Sequence, residues 1–211
     1  KRIFFFFFHA MVYRAHYAFI NRPLMNSKGQ NVSAINGFVR SVWELITNQR
    51  PTHLGVIFDP KGGTFRTELY AEYKAQRDAQ PEDISFAIPY IIQIMKGMRI
   101  PVEIIPNFEA DDVIGTLAKK AEKEGFQVFM VTPDKDYAQI VSENIFQYKP
   151  ARFGNDIEIL GVDDVLKKWE IKRIDQVIDL LGLMGDAVDN IPGLPGVGPK
   201  TAVKLLAEYD N

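Results

Sequence analysis

Runs of consecutive apolar residues along the chain alternate with longer segments in which apolar residues recur at helical spacing. A short apolar run without polar alternation is typical of a strand that is buried on both faces. The runs predict strands at five places: 3–8, 53–58, 102–106, 127–131 and 144–148. Because helical segments separate these runs, we predict an α/β fold with a mostly parallel sheet flanked by helices.

The helical segments carry apolar residues three and four positions apart, as on one face of a helix. They predict helices over 33–47, 84–98, 111–124, 162–169, 173–183 and 200–209, and a short helix after Pro133. Segment 64–77 is also helix-like, although it is very polar and has little apolar stripe. The β/α alternation gives way to helices near residue 160, so we expect one unit over 1–160 and a helical unit over 161–211.

Composition narrows the classes of protein that remain. The chain has 211 residues and no cysteine, which excludes disulfide scaffolds, thiolate zinc sites and cysteine nucleophiles and suits a cytoplasmic location. Its three histidines stand at no metal-ligand spacing. The net charge of −2 argues against binding nucleic acid through bulk positive charge. No apolar stretch approaches the ~20 residues that span a bilayer, and no export signal is apparent.

Carboxylates follow several of the predicted strands. Asp59 follows the strand 53–58; Glu109, Asp111 and Asp112 follow the strand at 102–106, and Asp134 and Asp136 follow the strand 127–131. In an open parallel sheet the carboxyl ends of the strands meet at one edge, where ligands bind. Six carboxylates at one edge repel each other unless cations neutralise them, and oxygen ligands favour Mg²⁺ or Mn²⁺.

Each of these acids also has an ordinary structural interpretation. Asp111 and Asp134 each stand where a helix begins, so either could serve only as a cap. Asp59 precedes Pro60, and the pair could form a plain turn. The three placements together at successive strand ends favour a shared metal site over three unrelated local roles.

The segment from Asp186 to Ala202 is the most specific stretch of the chain. It nearly matches a nucleotide-binding loop, but Pro199 stands between the glycine and the lysine, so the spacing fails. A helix–hairpin–helix fits better, because glycines let backbone amides approach a phosphate and Lys200 and Thr201 add donors. The glycines concerned are Gly193, Gly196 and Gly198. A helix–turn–helix without a ligand is the alternative.

Six motifs in one order resemble the 5′-nuclease (flap endonuclease-like) family, and in particular the N-terminal 5′→3′ exonuclease domain of bacterial DNA polymerase I. They are Phe58-Asp59-Pro60, Thr64-Phe65-Arg66, Tyr73-Lys74-Ala75-Gln76-Arg77, Glu109 to Thr116, Thr132 to Tyr137, and Gly185 to Ala202. The resemblance covers essentially the whole chain. It implies a PIN-like α/β fold with a C-terminal H3TH-type DNA-binding subdomain, and a helical arch over about 62–85.

The resemblance also implies an activity and a set of site residues. The activity is structure-specific hydrolysis of phosphodiester bonds with two or more Mg²⁺ or Mn²⁺ ions. The acids on the family's metal positions are Asp59, Glu109, Asp111, Asp112, Asp134, Asp136, Asp186 and Asp189. Tyr73, Lys74 and Arg77 fall on the arch as catalytic residues, and Lys74 and Arg77 also suit an ordinary solvated helix face. The family's hairpin grips duplex phosphates and binds K⁺.

Further expectations concern partners. The implied substrates are DNA with a 5′ flap or 5′ end and RNA–DNA hybrids, and the implied neighbour is a polymerase module in the same full-length chain. Arg14 and Arg66 are candidate phosphate contacts. We expect a monomer, without membrane association, near the bacterial nucleoid. The sequence printed stops at Asn211, before the further helices that the family usually has, so we expect a fragment.

The chain departs from the family pattern at the end of its first strand. The family places a metal-binding Asp there, and counting back from Tyr13-Arg14-Ala15 puts Phe7 at this position. An apolar ring cannot bind Mg²⁺, so a catalytically impaired DNA-junction binder of the same fold is an alternative function. A phosphatase or receiver protein is a third, but it needs a phosphoacceptor Asp after the first strand, which the chain lacks.

Overall fold

A computed structural model describes residues 1–151 and 156–209 and contains a six-stranded sheet. The strands are β1 (Arg2–Phe7), β2 (His53–Phe58), β3 (Val102–Ile104), β4 (Gln127–Val131), β5 (Ile145–Lys149) and β6 (Glu158–Leu160). Their order is β3-β2-β1-β4-β5-β6, and every pairing is parallel except that of β6 with β5. This confirms the α/β class. The last two residues of the predicted unit 161–211 lie outside the described residues.

The phenylalanine run forms the central strand, which explains its composition. Phe4 and Phe6 face one side of the sheet, while Phe5 and Phe7 face the other, and all four are buried. The ring of Phe4 stacks on that of Phe129 in β4, with 4.5 Å between centroids. A strand between two neighbours and two helical layers has no solvent-facing side, so apolar residues fill it from Ile3 to Phe7.

Helices cover both faces of the sheet. They are α1 (Phe8–Ala18), α2 (Ser33–Gln49), α3 (Phe65–Leu69), α4 (Glu82–Gly97), α5 (Ala110–Lys123), α6 (Val162–Trp169), α7 (Gln176–Met184) and α8 (Pro199–Tyr209), with a 3₁₀ helix at Lys135–Ile140. Helices α1, α2 and α4 pack on the face of Phe4, and α5 packs on the face of Phe5. Within the part of the chain that the structure describes, no helix is long and apolar enough to cross a membrane.

Several elements differ from the sequence prediction. The apolar run predicts a strand through Phe8, but Phe8 already begins α1. The edge strand β6 is an addition. The predicted helix 64–77 is reduced to α3, because Tyr70 is extended at φ −143° and Lys74 is left-handed at φ 57°. The polar side chains of this segment contact acids elsewhere in the chain, and those contacts replace helix continuation.

The glycine-rich segment forms a hairpin between α7 and α8. Strands β7 (Gly185–Asp186) and β8 (Ile191–Pro192) pair in antiparallel fashion. Gly185 is left-handed at φ 68°, and a Cβ at Gly193 would lie 2.3 Å from the backbone of Met184. The two backbones therefore meet where only glycine fits. This confirms the predicted helix–hairpin–helix in the C-terminal part.

Candidate active site

The parallel strands end at one edge of the sheet, and acidic residues from several segments lie there. Asp59 follows β2, Asp111 and Asp112 lie in the first turn of α5, and Asp134 caps the 3₁₀ helix by accepting from the Asp136 backbone N–H at 3.1 Å. We call this set, together with Glu109, Asp136, Asp186 and Asp189, the acidic edge.

Asp59 and Asp111 are neighbours at the acidic edge, close enough for their charges to interact. Asp59 accepts from the backbone N–H of Ala110 at 2.7 Å and pairs with His9 Nδ1 at 2.9 Å. Although burial favours the neutral acid, these partners hold the pKa of Asp59 below its usual value. Burial raises the pKa of Asp111 to about 7, opposed by a 2.7 Å hydrogen bond from Tyr137, and the charges of Asp134 and Asp59 add to the rise.

A second part of the acidic edge lies around the 3₁₀ helix. Burial and the neighbouring charge of Asp134 raise the pKa of Asp136 to about 6. Its Oδ1 atom is buried and has no hydrogen-bond partner. Asp186 pairs with Lys135 Nζ at 2.9 Å, and this contact holds the Asp186 pKa below its usual value although burial opposes it.

Segment 70–77, the part of the predicted arch that follows α3, supplies basic partners to Glu109 and Asp189. Lys74 Nζ lies 2.9 Å from Glu109 Oε2 and 3.8 Å from Asp189 Oδ2. The Tyr73 hydroxyl lies 3.0 Å and 3.2 Å from the same two carboxylates, and Arg77 pairs with Asp189. The three predicted catalytic residues therefore lie at the acidic edge without forming one face of a helix.

The two predicted phosphate-contacting arginines are engaged with the protein. Arg66 donates two hydrogen bonds to Asp112, at 2.6 and 2.8 Å, and these bonds raise the pKa of the guanidinium. Arg14 donates to the carbonyl of Ala151. The structure thus brings Arg66 to the acidic edge as a partner of a carboxylate, and it places Arg14 in a backbone contact elsewhere.

The acidic edge has the oxygen donors that a hard divalent cation needs, but its side chains are not arranged around a common point. Its donors are oxygens, Asp136 has a buried unpartnered oxygen, and burial with mutual repulsion disfavours ionised Asp111. Across residues 1–151 and 156–209, however, no three His, Cys, Asp or Glu side chains are grouped closely enough to hold a metal ion. Most of the acids are paired with basic or hydroxyl groups instead, so these partners have to move before those acids can join a coordination shell.

Phe7 lies at the same edge. It is the last residue of β1, it is 9% exposed, and its ring centroid is 6.4 Å from that of Tyr137, the donor to Asp111. Its ring packs in the apolar cluster that includes Ala110. An apolar side chain therefore lies at this edge, where the sequence resemblance predicts a carboxylate.

The hairpin residues divide into two groups. Gly193 is required by the backbone contact with Met184, whereas a Cβ at Gly196 or Gly198 would meet nothing within 4 Å. Gly196 is left-handed at φ 80°. Lys200 and Thr201 are exposed in the first turn of α8, where helix N–H groups favour anions.

Sequence reasoning missed three polar residues of the site: His9, Lys135 and Tyr137. Only their positions in the sequence pointed to the site, and only weakly. His9 directly follows the end of the first strand, and Lys135 and Tyr137 alternate with two acids already singled out. Only the approach of α1 to β2, and of the 3₁₀ helix to α5 and the hairpin, makes them partners of Asp59, Asp186 and Asp111.

Comparison with known proteins places the chain in a class of nucleases. A family model described as the 5′-3′ exonuclease N-terminal resolvase-like domain matches residues 8–170, and one described as the 5′-3′ exonuclease C-terminal SAM fold matches residues 173–211. The chain belongs to the 5′-3′ exonuclease family.

Relatives with similar sequences are named as exonucleases and DNA polymerases. A 5′-3′ exonuclease of Aquifex aeolicus is 43% identical over 202 residues, covering 96% of this chain and 68% of that protein. DNA polymerase I of Bacillus caldotenax is 40% identical over 196 residues, covering 92% of this chain. The match spans only 22% of that polymerase.

Solved structures show the same fold at lower sequence identity. The T5 D15 protein, co-crystallised with metal ions, has a TM-score of 0.82 and 20% identity, covering 100% of this chain and 76% of that one. The catalytic core of Rad2 in complex with a DNA substrate has a TM-score of 0.64 and 20% identity, covering 100% of this chain and 62% of that one.

Proposed function

We propose that the chain is a Mg²⁺- or Mn²⁺-dependent 5′ nuclease that hydrolyses phosphodiester bonds of 5′ flaps, 5′ ends and RNA primers on DNA. The observation that carries this proposal is the acidic edge, where acids from distant segments lie beside Tyr73, Lys74 and Arg77. Family membership and the metal- and DNA-bound structures of similar fold support it. Because a similar protein is named DNA polymerase I, we extend the proposal to a polymerase module in the same full-length chain and to a monomeric protein.

Two or more ions would be held by the eight acids of the acidic edge: Asp59, Glu109, Asp111, Asp112, Asp134, Asp136, Asp186 and Asp189. Bound there, such ions activate a water and stabilise a leaving oxygen. The protein positions the carboxylates. Until ions bind, its own basic side chains, such as Lys74 and Lys135, neutralise them. Lys74 and Arg77 lie within reach of the same edge, so a substrate phosphate there would offer them oxygens in place of Glu109 and Asp189.

The hairpin would hold the duplex part of the substrate. Gly198 and the first turn of α8 leave open space around the backbone, and Lys200 and Thr201 add exposed donors beside it. Contacts of this kind fix the position of a duplex without reading its sequence. We extend the proposal to a K⁺ ion at the hairpin, and to phosphate contacts by Arg14 and by Arg66 once Arg66 leaves Asp112.

Cleavage of a labelled 5′-flap duplex, with Mg²⁺ and with EDTA, tests the proposal. We expect Mg²⁺-dependent release of the flap, and we expect Asp112→Asn to abolish cleavage while flap-DNA binding is kept. A wild-type chain that releases no flap with either Mg²⁺ or Mn²⁺ would contradict the proposal. Full cleavage by the Asp112→Asn variant would remove Asp112 from the metal site.

Phe7 favours a second candidate function, a DNA-junction binder with impaired catalysis. One carboxylate is missing from the acidic edge, and loss of a metal ligand would reduce the rate by orders of magnitude. This candidate predicts tight binding of flap DNA by the wild-type chain without release of product in the same assay. Cleavage by the wild-type chain at the rate of the Phe7→Asp variant would reject it.

A further inference from the structure

A groove of about 570 Å³ runs along helix α5, away from the acidic edge. Asp111, Asp112 and Asp136 line one end together with Arg66. The remaining lining comes from α5 and from the 3₁₀ helix: Gly115, Thr116, Lys119, Lys120, Lys123, Tyr137, Gln139 and Ile140. The groove is therefore continuous with the candidate active site. The residues at its far end belong neither to the acidic edge nor to the hairpin and have no role in the function proposed above.

The polar lining on α5 follows the helical repeat. Asp112, Thr116, Lys119 and Lys123 are spaced by four, three and four residues, so they lie along one face of the helix. At 1.5 Å per residue, the track from Asp112 to Lys123 is roughly 16 Å long. Thr116 and the three lysines of this face, Lys119, Lys120 and Lys123, are exposed. The side chains can therefore reach a ligand lying in the groove.

The charge of the lining changes sign along the groove. The end at the active site is acidic, whereas the last two turns of α5 carry the three lysines and no acid that lines the groove. Glu122 stands 3.8 Å from Lys119, but its carboxylate accepts a hydrogen bond from Ser142 on the other side. In a chain with a net charge of −2, three lysines beside one groove form a local site for an anion.

The floor of the groove is partly apolar. Tyr137 and Ile140 lie opposite α5, and a Cβ at Gly115 would make ordinary contact with Cδ1 of Ile140 at 3.6 Å, so the walls are close together there. An anion with both phosphates and flat apolar surfaces matches this lining. A duplex matches it poorly, because the bases of a duplex are stacked inside it and cannot contact an apolar floor.

We propose that this groove, whose phosphate contacts are Lys119, Lys120 and Lys123, holds the single-stranded part of a nucleic-acid substrate where it leaves the acidic edge. The proposal rests on the proposed nuclease function and assigns to it a path for the strand. The hairpin, which does not line this groove, is left for the duplex.

The test uses a triple variant, Lys119→Gln, Lys120→Gln and Lys123→Gln, which removes charge and keeps helix propensity. Binding is measured on duplexes with a long flap and with a single-nucleotide flap, with Ca²⁺ in place of Mg²⁺, over a range of salt. We expect affinity for the long flap to fall on the order of tenfold, and its salt slope to fall by about 2, since each single-strand phosphate contact contributes about 0.7.

Two controls make the result specific. The variant Lys28→Gln, Lys96→Gln and Lys167→Gln removes the same charge from exposed positions on other elements, and we expect no effect of flap length. The variant with arginine at 119, 120 and 123 should restore long-flap binding. Equal melting temperatures for the four proteins show that the surface changes leave the fold intact.

The outcomes separate this proposal from the nuclease proposal. Unchanged long-flap binding in the glutamine variant, or an equal loss on both substrates, would overturn the groove assignment even if the wild-type chain cleaves. The glutamine variant could lose only long-flap binding while the wild-type chain cleaves no substrate. That result would support the groove assignment and reject the nuclease proposal.

Discussion

One side chain at the acidic edge has a charge that its surroundings do not compensate. Burial and two neighbouring acids raise the pKa of Asp111 to about 7, although Tyr137 donates a hydrogen bond to it. Such a group opposes folding when ionised, because the folded state disfavours its charge relative to the unfolded chain. Residues arranged for chemistry commonly reduce stability in this way.

We therefore predict that Asp111→Asn stabilises the metal-free protein. The contribution of Asp111 to stability is fully present below its unfolded pKa and is lost as pH rises through about 7. At pH 8 in EDTA the variant should melt about 2–4 °C higher, corresponding to about 1 kcal/mol, and the difference should shrink towards pH 4. Asp78→Asn, at an exposed position, is the control in thermal unfolding. A lower melting temperature for Asp111→Asn at pH 8 would contradict the prediction.

Phe7 provides a second test at the level of one side chain. We predict that Phe7→Asp raises Mg²⁺-dependent flap cleavage, because it adds a carboxylate beside Tyr137 and Asp111. The same change should lower the melting temperature in EDTA, since it replaces a buried ring with another acid. Phe7→Asn creates a similar cavity without charge, so only the aspartate variant should gain activity and recover stability with Mg²⁺. Equal cleavage rates for wild type and Phe7→Asp at saturating Mg²⁺ would count against this.

Segment 70–77 carries a conformation that its own sequence does not favour. It leaves the helix after α3 and directs Tyr73, Lys74 and Arg77 towards Glu109 and Asp189. Contacts with distant segments therefore outweigh the local helix preference of this segment. The hairpin is the opposite case, because Gly185 and Gly193 permit the close backbone contact that it requires.

Substitutions of two hairpin glycines should have different effects, one on folding and the other on DNA binding. We predict that Gly193→Ala lowers stability by several kcal/mol or prevents folding, because its Cβ would overlap the Met184 backbone. Gly198→Ala meets open space, so its melting temperature should stay close to wild type, while binding of duplex DNA should weaken if phosphates approach this backbone. Thermal unfolding and duplex binding of both variants check this. A folded, stable Gly193→Ala protein would contradict the assigned contact.

The α/β part and the C-terminal helices share one apolar cluster, and charged pairs at the acidic edge add a second connection between them. Asp186 and Asp189 of the hairpin contact Lys135, Lys74 and Arg77, which belong to segments of the α/β part. Ions bound among acids from both parts would add a further link, and ligands that bind only the folded state raise its stability.

We predict that Mg²⁺ raises the melting temperature of the wild-type chain. At a concentration of about 100 times its dissociation constant, an ion adds about 2.7 kcal/mol, or roughly 5–10 °C for a chain of this size. The Asp136→Asn variant should show a smaller rise, and NaCl at equal ionic strength should show none. A rise as large with NaCl would indicate screening of the acids in place of ion binding.

The hydrophobic pattern was sufficient for the strands β2 and β4, for the parallel sheet and for the helix α6, because a buried strand or an amphipathic helix is encoded within a few consecutive residues. The hairpin could also be predicted from its local sequence, because its backbone conformation requires the glycines found there. The convergence of the acids also followed from the sequence, since carboxyl ends of parallel strands share an edge. Their role as metal ligands stays a prediction.

The partners of the acids, in contrast, depended on how distant segments meet. Nothing in the local sequence of His9, Lys135 or Tyr137 identifies Asp59, Asp186 or Asp111 as its partner, and segment 70–77 is helix-like until its basic groups encounter acids elsewhere in the chain. Such pairings arise from long-range packing of whole elements, which a local pattern of apolar and polar residues does not encode.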